Sequence, residues 1–485
     1  LKDQAVCLQS ARRAKYVPIP LAPVQENYVL SNAQRRFWLL ETQLGGSNAY
    51  TIPLLYELKG LVDRSALERA FQSMVERHES LRTVFIQQEG EPRQRILPYY
   101  TGLFGLEYYE YENRDQAMDH AREIAETVFD LEKGPLLRAG LLRLNEEDYL
   151  LSFCMHHIIS DEWSMQVLVK ELVFLYNGYA KEEHIELEEL AIQYPDYAVW
   201  QQQELLSGSI AEDRAYWLNQ FSGEIPVLEL PSDYPRPPVQ NHHGSHVKFS
   251  FETADISGFE QLLKDNKSTL FMGLLALVKV LLYRYSGQSD LVVGTPVAGR
   301  DHPDLEGQIG FYLNTLAFRT QLDGDQGFNT LLEQVRENCI AGFSHQSYPF
   351  DLLVEELGQG SDQSRSPLFD VVVILQNIEL NKDSELEMTG IEIEPLGSLL
   401  EISKGDLRFQ FVQDGQRINC DIEYNTDLYN HNSAERMGYH LRQLFNAVKD
   451  NPAEPLLSLK YLSEEEDNMG MELLNDFNLD IEQDF

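Results

Sequence analysis

Tyr149-Leu150-Leu151-Ser152-Phe153-Cys154-Met155-His156-His157-Ile158-Ile159-Ser160-Asp161-Glu162-Trp163-Ser164 is the stretch on which the fold turns. Residues 149–155 are apolar and β-favouring, whereas Met165, Leu168, Leu172 and Leu175 recur at helical spacing between Ser164 and Tyr179. The two histidines are therefore expected in a strand-to-helix turn. An imidazole exchanges its proton near neutral pH, so a pair of them beside a carboxylate suits proton-handling acyl chemistry. Asp161, four residues beyond His157, is placed to fix its tautomer or to brace the turn. A satisfied, buried histidine pair beside an N-capping aspartate explains the same residues, and the stretch alone leaves both readings open.

Around it lies a chain of 485 residues, long enough for two or three folding units, and two lobes are expected. Hydrophobic residues at 43% and aromatic residues at 11% support packed cores. The 39 basic residues against 78 acidic ones give a formal charge of −39, which disfavours nucleic acid and anionic membranes as partners. Cys7, Cys154, Cys339 and Cys420 lack CxxC spacing, so no zinc site or disulfide framework is expected and a reducing cytoplasm fits. No run of about 18 apolar residues marks a membrane span.

Helices are expected from Ser31, over Ser65 to Arg77, and at 255–264, 268–285 and 326–343. Strands are expected at 51–57, 82–87, 138–155, 246–251, 291–297, 315–320 and 369–376. Closely spaced prolines at Pro18, Pro20 and Pro23 predict an extended linker, and a break is read near Glu204 to Gly223. The cluster His242-His243-Gly244-Ser245-His246 has no carboxylate at ligand spacing, so a surface turn is expected there rather than a metal site.

Seven segments in order closely resemble the condensation domain of non-ribosomal peptide synthetases, a relative of chloramphenicol acetyltransferase, across roughly residues 25–455. They are Ser31 to Leu39, Arg77 to Phe85, His156 to Ser164, Tyr194 to Trp200, Ile309 to Thr315, His345 to Asp351, and Ser364 to Phe369. The resemblance implies an α/β fold with mixed sheets: two chloramphenicol acetyltransferase-like lobes in a V around a central tunnel. It divides the chain into a carrier-domain tail and linker (1–24), an N-terminal lobe (25–205), a C-terminal lobe (206–455) and a linker toward an adenylation domain (456–485).

The reaction it implies is attack of an acceptor α-amine on a donor thioester, both delivered on phosphopantetheine arms of upstream and downstream peptidyl carrier domains. No cofactor or metal is expected on the domain itself. His157 is expected as base or positioner, with His156 and Asp161 completing the catalytic motif in supporting roles. Asp161 is expected to pair with Arg82 or Arg300, and Ser31, Glu162, Trp163, Ser164, Trp200 and Asn314 to lie along the tunnel.

One position departs from the family pattern. Glycine normally follows the motif aspartate, and here Glu162 stands there. A carboxylate in that place marks condensation-like domains that serve as docking platforms, so this reading is carried beside peptide-bond formation. Heterocyclisation relatives replace the histidines, and epimerisation relatives place serine before tryptophan, whereas this chain reads Trp163-Ser164. Ser47-Asn48-Ala49-Tyr50-Thr51-Ile52-Pro53 resembles a domain taking an L-configured donor.

Overall fold

The computed structural model describes residues 16–44, 48–360, 362–376, 387–397, 399–415 and 417–469. The expected carrier-domain tail at 1–15, Ser47, and the end of the C-terminal linker at 470–485 lie outside them.

The first half begins with β1 (Tyr28–Val29), α1 (Asn32–Leu44), β2 (Thr51–Gly60), α2 (Arg64–Arg77), β3 (Thr83–Gln88), β4 (Glu91–Ile96) and β5 (Glu107–Glu110). It continues with α3 (Arg114–Glu126), β6 (Leu137–Arg143), β7 (Asp148–His156), α4 (Glu162–Ala180), α5 (Tyr194–Ser207) and α6 (Ala211–Gln220). The expected strand at 138–155 is thus a hairpin, because Asn145 turns the chain by accepting backbone N–H groups from Glu147 and Asp148 on its side-chain oxygen. The break expected at 204–223 contains α6, whose Trp217 is 3% exposed and packs into the core of the second half.

The second half runs through β8 (Gly244–Phe251), α7 (Thr253–Asp265), α8 (Leu270–Ser286), β9 (Asp290–Val297), β10 (Asn314–Gln321) and α9 (Phe328–Ser344). Then come α10 (Phe350–Glu356), β11 (Val371–Gln376), β12 (Ile391–Pro395), β13 (Leu407–Asp414), β14 (Arg417–Asn425) and α11 (His431–Asp450).

Two mixed sheets organise the halves. The first has the order β12-β2-β7-β6-β5 and the second β10-β9-β11-β13-β14-β8, with a small sheet β1-β4-β3 beside the first. Each large sheet has its own hydrophobic core. α2 shows why: Ala66, Leu67, Ala70, Phe71, Met74 and Val75 recur every three or four residues and are all buried, and Asp63 caps the helix by accepting the Ala66 N–H at 3.0 Å. Burying a side chain such as Phe71 contributes about 1.5–3 kcal/mol.

The halves are not separate in sequence. β12 crosses back from the second half and pairs antiparallel with β2, from Ile391 opposite Gly60 to Pro395 opposite Tyr56. A boundary at residue 205 therefore describes the chain but not the sheet, since tertiary pairing places 391–395 in the first layer. Among the described residues no single helix is long and apolar enough to cross a membrane.

Candidate active site

β7 delivers the histidines. Its last residue, His156, pairs in register with Thr51 of β2, and the His157 N–H then donates to Tyr50 O at 2.8 Å as the chain leaves the sheet. A short 3-10 turn begins at His157, and its other two residues, Ile158 and Ile159, are buried. Asp161 then starts α4 as its N-cap, accepting the Ser164 N–H at 2.7 Å.

The two imidazoles face different surroundings. His156 is 1% exposed, and its Nδ1 accepts the Ile158 N–H at 3.0 Å. His157 is partly accessible and lies between two rings: Phe37 stacked at 5.4 Å and Phe311 edge-on at 5.2 Å. Its Nδ1 lies 2.9 Å from Ser160 O, which only accepts, so Nδ1 carries the proton and Nε2 is left as the open acceptor. Burial, reinforced by the charge of Lys404, holds the His157 pKa well below the usual histidine value. His157 is consequently a neutral acceptor at pH 7.

Asp161 ties the turn to the second half. Its Oδ1 accepts from Ser164 Oγ at 2.7 Å and from Arg300 Nη2 at 3.1 Å, and its Oδ2 accepts the Tyr312 N–H at 3.0 Å. Arg300 donates onward to Gln308 O at 2.8 Å and stacks over Tyr312 at 4.2 Å. Of the two arginines expected as partners, Arg300 makes the contact. Arg82 instead donates to Leu97 O at 2.8 Å and Glu79 Oε1 at 3.4 Å, because it sits on the turn before β3 and points to that small sheet.

Several residues expected along a tunnel make defined contacts within the fold. Ser31 is fully buried; its Oγ caps α1 through the Gln34 N–H and shares a hydrogen bond with Tyr194 Oη at 2.8 Å. Ser164 is equally buried and links Asp161 to Gly310 O at 2.7 Å. Trp163 Nε1 donates to Glu306 O at 2.9 Å, and Trp200 packs with Tyr197 and His302 in a satellite cluster. Asn314 clamps the loop before α10, donating to Gln346 O and Tyr348 O at 2.8 Å and accepting the Phe350 N–H at 3.0 Å. The polar side-chain atoms of Ser31, Trp163, Ser164 and Asn314 are thus hydrogen-bonded within the domain.

Glu162 alone of that set is open to solvent, and its carboxylate accepts a hydrogen bond from Gln376 Nε2 of β11. Gln376 is itself held by Gln410 Nε2 at 2.7 Å. The bond spans from the N-terminus of α4 in the first half to the sheet of the second. Lys404 is also solvent-accessible, yet protein mass around it lowers its pKa to about 8, desolvation being the main cause and the charge of Arg408 the next. The same desolvation raises the Glu162 pKa.

Two contributors were not read from the sequence as part of the site. His242, expected in a surface turn, donates from Nδ1 to Ser403 O at 3.1 Å and lies 6.0 Å from the Tyr50 ring, close to the histidine turn. His243 and His246 go elsewhere, to Asp427 at 3.5 Å and Asp421 at 2.9 Å. Glu41, one residue past the apolar run of the first segment, approaches His156. Its spacing from Phe37, four residues along one helix, was the available signal.

A family model described as "Condensation domain" matches residues 24–469. Tyrocidine synthase 3 of Brevibacillus parabrevis is 39% identical over 466 residues, covering 96% of this chain and 7% of the relative. The chain belongs to the condensation-domain family of non-ribosomal peptide synthetases. Bacitracin synthase 3 of Bacillus licheniformis is 36% identical over 486 residues, with 100% of this domain and 7% of the relative covered. The condensation domain thus spans less than a tenth of either synthetase.

Solved structures give the fold. The X-domain from teicoplanin biosynthesis aligns with a TM-score of 0.84 at 24% identity over 92% of this domain and 100% of that chain. The four-domain synthetase AB3403 aligns at 0.80 and 23% identity over 95% of this domain and 35% of that chain. This condensation domain has the chloramphenicol acetyltransferase-like fold expected from its sequence.

Proposed function

We propose that this domain forms peptide bonds, transferring an aminoacyl or peptidyl group from an upstream carrier to the α-amine of a downstream carrier-bound amino acid. The observation that carries the reading is the state of His157: neutral, with its tautomer fixed by Ser160 O and Nε2 left as a partly accessible acceptor.

Such an Nε2 accepts a hydrogen bond from the attacking amine and takes its proton as the C–N bond forms. The proton then leaves with the pantetheine thiolate as the tetrahedral intermediate collapses. The amine nitrogen supplies the electron pair and the thioester sulfur departs with one, so the exchange balances without oxidant or metal. In this reading the phosphopantetheine arms belong to the carriers and the domain holds no cofactor of its own. In this reading its partners are carrier and adenylation domains, which the match to multidomain synthetases supports, and its setting is cytoplasmic.

Glu162 favours a second reading, a docking platform, because its bond to Gln376 ties the start of α4 to the sheet of the second half. Single-turnover assays with separately loaded carriers separate the two. Amide formation by the domain and its loss in His157→Ala support condensation; equal product from both proteins leaves only the platform.

A further inference from the structure

Residues 16–22, expected as part of an extended linker, lie against the domain. Pro18 and Pro20 restrict the backbone and lack N–H groups, so the segment loses little freedom on binding and keeps few donors of its own. Two of those donors meet largely buried carboxylates: the Ile19 N–H donates to Asp304 Oδ2 at 3.0 Å, and the Ala22 N–H to Asp196 Oδ1 at 2.7 Å. Tyr16 Oη donates to Asp304 Oδ1 at 2.6 Å, and His302 Nε2 donates to Val17 O at 2.9 Å. A buried carboxylate is costly without donors, and this segment supplies them.

The anchors belong to different halves of the molecule. Asp196 lies in the first turn of α5, where its Oδ2 also accepts the Gln193 N–H at 2.8 Å. Asp304 lies in a 3-10 turn at Pro303–Leu305, between β9 and β10 of the second half. Ile19 is 4% exposed and shares an apolar cluster with Tyr197 of α5 and with Leu305 and Tyr312, whereas residues 16–18, 20 and 21 are exposed. The 3-10 turn sits on the connection that carries Arg300, partner of Asp161, and Phe311, which packs on His157. The segment is thus fastened across the seam between the halves, beside the connection that reaches the histidine turn.

We propose that residues 16–22 are a docked strap that sets where an upstream donor carrier stands: held by Asp304, Asp196 and the burial of Ile19, they start the tether at the seam between the halves. The inference rests on the condensation reading for its kinetic consequence, but not for the docking itself. Docked residues are taken out of the tether, and a shorter tether that still spans its distance raises the effective concentration of what it carries. Releasing these seven residues adds up to about 25 Å of reach and lowers that concentration.

The test measures amide hydrogen exchange over residues 16–22 of the whole chain, together with single-turnover amide formation. The loaded donor carrier is either joined ahead of Leu1 or supplied as a separate protein at saturation. Ile19→Asp puts a charge into the apolar cluster, and Asp304→Ala removes the acceptor of two strap bonds. Each variant is expected to speed exchange over 16–22 about tenfold or more. Each should slow turnover of the joined carrier about two- to fivefold and leave turnover of the separate carrier unchanged. Fast exchange in the parent, or a joined-carrier rate that both variants leave unchanged, overturns the inference. Equal losses with joined and separate carriers overturn it too, because the segment then supports the fold and does not guide the carrier. If the parent makes no amide in either arrangement while the variants still speed exchange, the condensation reading falls and the docking stands.

Discussion

Asp161 Oδ1 and Arg300 Nη2 meet at 3.1 Å with side-chain exposures of 0% and 1%, so the ion pair that roots the histidine turn also joins the two halves of the molecule. Removing one member leaves the other as an uncompensated buried charge. Asp161→Asn is therefore expected to lose about 3–5 kcal/mol of stability, read as a shift of the urea midpoint. Asp161→Asn/Arg300→Met removes both charges and is expected to recover part of that loss. An Asp161→Asn domain with the parent's midpoint contradicts this account.

His157→Ala is expected to slow amide formation by about 10²–10⁴-fold while the carriers still bind. Because burial lowers the His157 pKa well below the ordinary value of 6.5, the parent rate should stay level as pH falls through 6.5. Stability behaves differently. The unfolded chain takes up this proton near 6.5 and the folded one does not, so His157 makes folding less favourable as pH drops below that value. The decline should be smaller in His157→Ala, and equal pH dependence in the two proteins rejects it.

The path from sequence to site was legible where the cause was local. The apolar run into His156 and the helical spacing after Ser164 place β7 and α4, and Asp161 is readable as a cap because the helix needs an acceptor there. Contacts fixed by tertiary pairing were not legible. Ile391-Glu392-Ile393-Glu394-Pro395 alternates like any edge strand, and nothing in it says that β2 is its partner. His242 meets Ser403, 161 residues away, so its run read as a surface turn. Ser31 and Asn314 belong to recognisable segments, yet their side chains cap and clamp backbone where tunnel contacts were expected.

Lys279 of α8 is buried and, among the described residues, has no carboxylate in contact: its Nζ donates to Phe318 O at 2.7 Å and Thr320 Oγ1 at 2.9 Å. Burial lowers its pKa from 10.5 to about 7. Between those values the unfolded chain holds the proton and the folded one does not, so this group makes stability rise with pH. Below about pH 7 the penalty is complete, roughly 5 kcal/mol for such a shift. Lys279→Met is expected to gain about 1–4 kcal/mol at pH 6, with the advantage over the parent shrinking toward pH 10. Urea titrations at both pH values check it, and a gain that is independent of pH excludes the lysine's titration as its source.

Glu162→Gly tests what the hydrogen bond to Gln376 does to acceptor access. The substitution removes the carboxylate and the bond, and with them a favourable charge at the N-terminus of α4 worth about 0.3–1 kcal/mol. The fold should survive, because Asp161 still caps the helix. If Glu162 obstructs the acceptor's route, the glycine variant forms amide several-fold faster at limiting acceptor carrier and binds the donor carrier as before. Gln376→Ala breaks the same bond from the other half and leaves the carboxylate in place. Faster turnover in both variants assigns the obstruction to the bridge, and faster turnover in Glu162→Gly alone assigns it to the bulk and charge of the glutamate. Unchanged rates in both remove Glu162 as an obstacle, whereas a slower Glu162→Gly assigns its carboxylate to holding the acceptor ammonium.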